Sequence, residues 1–119
     1  MEIRGPSGAV PTPFNDPSPY DNIAVVNQVL TALILQPTQE RYNSSMADLT
    51  ELQQTSPGDP IFQTTMDKIQ GTSGSDLQKT AAQCMLDNST FTPSIEQHLE
   101  RDIQNGDYVD FLKYFPTPP

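Results

Sequence analysis

Residues 22–36 read NIAVVNQVLTALILQ, and this stretch decides the fold. If the stretch is helical, its apolar side chains cover most of the circumference at about 100° per residue. The remaining narrow polar stripe consists of Asn27, Gln28 and Thr31. A helix that is apolar nearly all round is typical of the centre of a bundle, so we predict that the other elements surround it. Two alternatives stay open: a helix that turns part of this surface to a partner and, given the Val-rich start, a strand.

Capping residues on both sides of this stretch define the first two helices. Asp21 is the predicted N-cap of a helix from about Asn22 to Gln36, and Pro37 ends it. A second helix is predicted over 39–54 with Thr38 as its N-cap, and it stops at 56–58, which reads Ser-Pro-Gly.

The third and fourth helices have similar punctuation. Asp59 is the predicted N-cap of the third helix, Pro60 its first residue, and Gly71 lies just past its end. Ser75 is predicted to cap the fourth helix, with Gln78 three residues later completing a capping box.

The last two helices are predicted close to the C-terminus. Thr92 caps a fifth helix that starts with Pro93 and runs to about Gln104, where Asn105-Gly106 ends it. Asp107 then caps a short sixth helix, predicted over 108–114.

These elements predict an all-α fold: a small bundle of five helices plus a short sixth. Residues 1–20 contain five prolines, which favour extended and polyproline II geometry, so we predict an extended Pro-rich N-terminal arm there. The helical bundle domain is predicted over 21–115, and a short Pro-rich C-terminal tail over 116–119.

The composition and charge restrict the kinds of partner. Only 18% of the 119 residues are charged and 34% are hydrophobic, a composition that tolerates close packing beside other proteins or copies of itself. The net charge is −9 and the six Lys and Arg residues are scattered, which argues against direct binding to nucleic acid or to anionic membranes. The negative net charge favours basic partners. The alternative is that this charge only keeps the bundle soluble.

Cysteine usage and the first residues bear on the compartment. Cys84 is the single cysteine, so an intrachain disulfide is excluded, and its apolar neighbours predict a buried, inert thiol. Residues 1–6, MEIRGP, lack the apolar run of a secretory signal, and no segment has the length of a membrane-spanning helix. We therefore expect a protein of the cytoplasm, or of a virion-like particle assembled in a reducing compartment, that is neither secreted by a signal peptide nor inserted in a membrane.

Candidate chemistry is limited to the surroundings of His98, the only histidine. Asp102 follows one helical turn later, and such a pair can orient an imidazole, but no serine, cysteine or second histidine is positioned by sequence to complete a catalytic set. We interpret Glu96 and Glu100 as a solvated acidic face and His98 as a solvent-facing residue. The prediction is therefore a protein that is not an enzyme, with no catalytic residue, cofactor or metal.

Aromatic residues crowd the C-terminal end, where positions 108–115 hold four of the nine in the chain. They are suited either to filling a pocket on a partner or to completing the bundle's own core. The N-terminal arm likewise is either a polyproline ligand or a passive tether. The predicted partner-binding residues are Val10, Pro11, Pro13, Phe14, Tyr20, Tyr108, Phe111, Tyr114 and Phe115.

Taken with the neutral-polar composition, these features favour a structural or accessory subunit of a larger protein assembly. The specific version that we predict is a minor virion or capsid-associated protein, docked through its N-terminal arm and its C-terminal aromatic helix onto other subunits or as a homo-oligomer. The alternative is a small acidic helical adaptor, or a chaperone of the kind used in secretion, that masks a segment of its partner.

Overall fold

The computed structural model describes residues 19–115, and within that range the chain is all-helical, as predicted. It forms six helices and no strand in the part described. The helices are α1 (Pro19–Leu35), α2 (Gln39–Thr55), α3 (Ile61–Ile69), α4 (Gly74–Asp87), α5 (Pro93–Asn105) and α6 (Tyr108–Leu112). None of these helices has both the length and the apolar character needed to cross a membrane.

Helix α1 lies at the centre, packed against α2, α3 and most extensively α4. Its residues Val26, Leu30 and Leu33 are fully buried. The prediction that the other elements surround this helix is confirmed for α2, α3 and α4 but not for α5 and α6, and the strand alternative is wrong. The bundle surrounds α1 incompletely, since Gln28 and Leu35 are exposed.

Two of the predicted N-caps with the expected hydrogen bonds are Thr38 and Thr92. The hydroxyl of Thr38 accepts from the backbone N–H of Arg41 at 3.1 Å. The hydroxyl of Thr92 accepts from the N–H of Ile95 at 3.4 Å. These bonds satisfy N–H groups that have no partner inside the helix, which is why short polar side chains mark helix starts.

Two predicted N-caps, Asp21 and Ser75, are wrong. Helix α1 begins at Pro19, so Asp21 lies inside its first turn; proline suits a first helical position because it has no N–H to leave unpaired there. Helix α4 begins at Gly74, and its N-cap is Ser73 rather than Ser75. The side chain of Gln78 turns away from the α4 start and instead donates to the carbonyl of Ile34, at 2.8 Å.

Asp59 joins two helices through its two carboxylate oxygens. Oδ1 accepts from the N–H of Ile61 at 3.0 Å and so caps α3, although the helix proper begins one residue later than predicted. Oδ2 accepts from the side-chain amide of Asn22, which is buried at the start of α1, at 2.7 Å. The start of α3 is thereby fixed against the start of the central helix.

Helix α4 connects the two ends of the fold, because it packs against α1 on one side and against α5 on the other. Ala81 and Ala82 are fully buried, and their small side chains allow close approach of neighbouring helices. Cys84 is buried beside them, and burial raises the pKa of its thiol, in agreement with the predicted inert thiol.

Candidate functional site

The turn between α5 and α6 brings polar groups from both helices together. Gly106 adopts a left-handed backbone conformation (φ 72°) and ends α5. Asp107 then caps α6 as predicted, its carboxylate accepting from the N–H of Asp110 at 3.3 Å. Because the chain reverses within these two residues, Asp110 on the first turn of α6 lies against α5.

Three side chains meet at this turn. The Nε2 atom of His98 on α5 lies 2.5 Å from Oδ2 of Asp110 and 3.5 Å from Oδ2 of Asp102. The atoms of these three residues that are able to bind a metal ion all lie within 4.8 Å of one another. We call His98, Asp102 and Asp110 the His–Asp–Asp cluster.

Asp102 is the unusual member of the cluster. It is 7% exposed, and its Oδ2 atom has no hydrogen-bond partner among the described residues. Burial raises the pKa of its carboxyl to about 6, and the neighbouring Asp110 adds to the shift. An ionised Asp102 is therefore unfavourable in this position unless a donor or a cation reaches it.

Asp110 has the opposite behaviour. Its hydrogen bond with His98 lowers the pKa of its carboxyl, and the contact with Asp102 lowers it further. The two carboxyl groups thus differ in acidity, and a proton shared between them resides on Asp102.

The C-terminal aromatic residues divide between core and surface. Phe111 is fully buried, and its ring centroid lies 4.9 Å from that of Phe115, which also makes an edge-on contact with Phe91 at 5.5 Å. Tyr108 is partly buried against the same core. Tyr114 remains 39% exposed, with its ring 5.5 Å from the imidazole of His98.

The predicted partner-binding residues are therefore not brought together on one described surface. Three of the four C-terminal aromatic residues contribute to the bundle's own core: Tyr108, Phe111 and Phe115. The fourth, Tyr114, is exposed. Tyr20 belongs to the first turn of α1 by its backbone. The predicted residues that lie outside the described part of the chain are Val10, Pro11, Pro13 and Phe14.

His98 faces solvent with 45% of its side chain, but it is also hydrogen-bonded to Asp110, which was not predicted from the sequence. The spacing of His98 and Asp102 indicated their proximity, but Asp110 was missed. The signal for it was the Asn105-Gly106-Asp107 turn, which is short enough to return the chain onto α5. Glu96 and Glu100 are exposed, as predicted, and do not belong to the cluster.

Two shallow clefts of about 450 and 430 Å³ lie elsewhere on the described surface. The first is lined by residues of α3, α4 and α5, including Lys68, Lys79 and Cys84, and the second by residues of α2 and α3. Neither is lined by a residue of the His–Asp–Asp cluster. One imidazole and two carboxylates are instead a donor set that suits a hydrogen-bond network or a divalent cation.

Comparisons of this chain with protein-family models, with curated proteins and with solved structures found no match. The class of the protein is therefore defined by its own geometry. It is an all-helical bundle with a histidine–carboxylate cluster where its last two helices meet.

Proposed function

We propose that the chain is a non-enzymatic subunit of a larger protein assembly and that the outer surface of α6 docks onto an apolar, basic segment of a partner. The observation that carries the proposal is the exposure of Val109, of which 77% is open to solvent. Val109 and Tyr114 are two of the three large apolar side chains that are exposed in the described part of the chain. Both belong to the same short C-terminal segment.

The position of α6 favours recognition of another protein. The segment already uses Phe111 and Phe115 to attach itself to the core, so its remaining apolar side chains are held at fixed positions rather than on a free chain. A partner that covers Val109 and Tyr114 would gain apolar burial with little loss of conformational entropy. Tyrosine in particular is enriched at the energetic centres of interfaces.

The charge of the chain favours a basic partner. The net charge is −9, and the exposed side chain of Asp107 directly precedes α6. Lys or Arg residues flanking an apolar partner segment would be attracted to this end of the bundle and steered onto it. Attraction of a basic, apolar segment is expected of an assembly subunit and of an acidic adaptor alike. The specific assembly subunit that the sequence favours is a virion component.

Site-specific cross-linking tests the proposal. A photoreactive phenylalanine analogue replaces Val109 in the full chain, which is produced in the cells where it naturally occurs. We expect the analogue to cross-link to a different protein, within a Lys- or Arg-rich segment of that protein. The matched control places the analogue at Leu35, which is 66% exposed and is the last residue of α1. We expect little cross-linking at that position, and we expect raised salt to reduce the yield at position 109.

The alternative outcomes are decisive. Cross-linking of position 109 to a second copy of the chain would replace the proposed partner with self-association. Equal yields at positions 109 and 35, or a product at position 35 alone, would exclude α6 as the docking surface. Deletion of residues 1–18, which leaves α1 intact, separates the two versions: an assembly subunit loses incorporation, whereas an adaptor retains its partner.

A further inference from the structure

We propose that His98, Asp102 and Asp110 bind one divalent transition-metal ion, such as Zn²⁺, between α5 and α6. The proposal goes beyond the docking function and does not depend on it.

The donor atoms come from three directions around one point. His98 and Asp102 stand one turn apart on α5, and Asp110 approaches from the start of α6. A tetrahedral zinc ion with bonds of about 2.0–2.2 Å holds its ligand atoms roughly 3.3–3.5 Å apart. The 3.5 Å separation between His98 Nε2 and Asp102 Oδ2 already meets this requirement.

The contact between His98 and Asp110 is too short for two ligands of one ion. The 2.5 Å contact between His98 Nε2 and Asp110 Oδ2 is a hydrogen bond, and it must lengthen by roughly 1 Å once both atoms ligate the same ion. The side chains of His98 and Asp110 are 45% and 32% exposed, so both have room to rotate apart.

Asp102 is the observation that points to a cation rather than to a hydrogen-bonded pair alone. The His98–Asp110 hydrogen bond accounts for two of the three side chains and leaves Asp102 Oδ2 buried without a hydrogen-bond partner, 3.5 Å from His98 Nε2. A buried, unpaired carboxylate destabilises the fold, whereas a cation at this point pairs all three groups.

A metal ion bound here would also link the last two helices. Asp110 is on α6, and Tyr114 covers His98 from the same segment, so the ion would hold α6 in place against α5. Three protein ligands leave one position of a tetrahedral ion for a water molecule or for a group from another molecule.

Titration of the untagged full chain with ZnCl₂ at pH 7.5, followed by isothermal calorimetry and by amide NMR spectra, tests the proposal. We expect one ion per chain and chemical-shift changes concentrated in residues 98–114. His98→Gln and Asp102→Asn are each expected to weaken binding at least about tenfold, since even groups outside the ligand set contribute about 10–100-fold. Glu100→Gln changes the net charge as Asp102→Asn does, from an exposed position on the same helix, and should leave binding unchanged.

Two results would overturn the proposal. One is the absence of saturable 1:1 binding by the folded wild-type chain. The other is binding that Asp102→Asn leaves intact or that Glu100→Gln weakens equally, which would indicate loose attraction to an acidic surface. If circular dichroism shows that His98→Gln does not fold, the NMR chemical shifts of the His98 ring protons in the wild-type chain are measured instead. Ring-proton shifts that do not change on addition of zinc would exclude His98 as a ligand.

Discussion

The side-chain amide of Gln78 on α4 donates a hydrogen bond to the backbone carbonyl of Ile34 in the last turn of α1, at 2.8 Å. The last four carbonyls of a helix have no partner within the helix, and a buried carbonyl without a partner destabilises the fold. Gln78 therefore caps the end of the central helix and at the same time joins it to α4.

Removal of this amide should reduce stability. We expect Gln78→Ala to lower the free energy of unfolding by about 1 kcal/mol, because the half-buried carbonyl of Ile34 loses its donor. Urea denaturation followed by circular dichroism measures the change. Gln83→Ala on the exposed side of α4 removes only a bond to Asp87 one turn away and should cost less than about 0.5 kcal/mol. Equal effects of the two substitutions would contradict the capping role.

The α5–α6 turn depends on the left-handed conformation of Gly106. Gly106→Ala should cost about 1 kcal/mol, purely from the backbone, because an added Cβ would meet no atom within 4 Å. Gly58 is equally uncrowded but does not have a positive φ. Gly58→Ala is therefore expected to be neutral or slightly stabilising. Thermal denaturation of both variants checks the difference, and a neutral Gly106→Ala would mean that the turn can form with another geometry.

Truncation of the aromatic residues should separate core from surface. Phe111→Ala removes a fully buried ring and is expected to cost about 3–5 kcal/mol, whereas Tyr114→Ala should cost less than about 1 kcal/mol. Unfolding midpoints in urea give both values. Phe111→Leu retains most of the buried volume and keeps the comparison measurable if the alanine variant does not fold.

The position of Asp102 predicts a specific pH dependence. In the folded chain the pKa of its carboxyl is about 6, above the ordinary value of 3.8. Its contribution to stability is therefore complete below about pH 4 and is lost as the pH rises through 6. With EDTA present, we expect Asp102→Asn to be more stable than wild type by about 1 kcal/mol at pH 8, with no advantage at pH 4.

Thermal unfolding at both pH values measures this difference, and Glu100→Gln controls for the change in net charge. An Asn variant that is less stable at pH 8 would show that the ionised carboxylate has a favourable partner in the metal-free chain.

The thiol of Cys84 should be protected in the folded state. Burial raises its pKa, so a smaller fraction is thiolate at any given pH than in the unfolded chain. At pH 8 we expect reaction with a disulfide reagent to be at least about tenfold slower in buffer than in 6 M guanidinium chloride. Rapid reaction without denaturant would show that α4 is accessible in the native bundle.

The helices could be predicted from the sequence because their signals are local. Thr38, Thr92 and Asp107 each cap a helix whose apolar positions follow at helical spacing, and Gly106 stops α5 where expected. The error at Gln78 shows the limit of this reasoning. Its spacing from Ser75 fits a capping box, but its actual partner lies 44 residues away, and no local pattern contains that information.

Only the His98–Asp102 pair of the His–Asp–Asp cluster could be predicted from the sequence, for a similar reason. His98 and Asp102 lie on one face of a helix, and their spacing alone indicates a contact. Asp110 joins them only because the turn at Gly106 directs α6 back along α5, which depends on the backbone geometry of a single glycine. The burial of Asp102 depends on tertiary packing, so its raised pKa could not be predicted from spacing.

The attachment of α6 has a consequence for the dynamics of the chain. This five-residue helix packs mainly against α5, whereas α1 packs against three other helices. A segment held by one neighbour opens at a lower free energy than the global unfolding transition, so its amide protons should exchange with solvent faster than those of α1. A ligand that binds across α5 and α6 closes this opening and slows the exchange, and the protection factor of the amides in 108–112 would then report its occupancy directly.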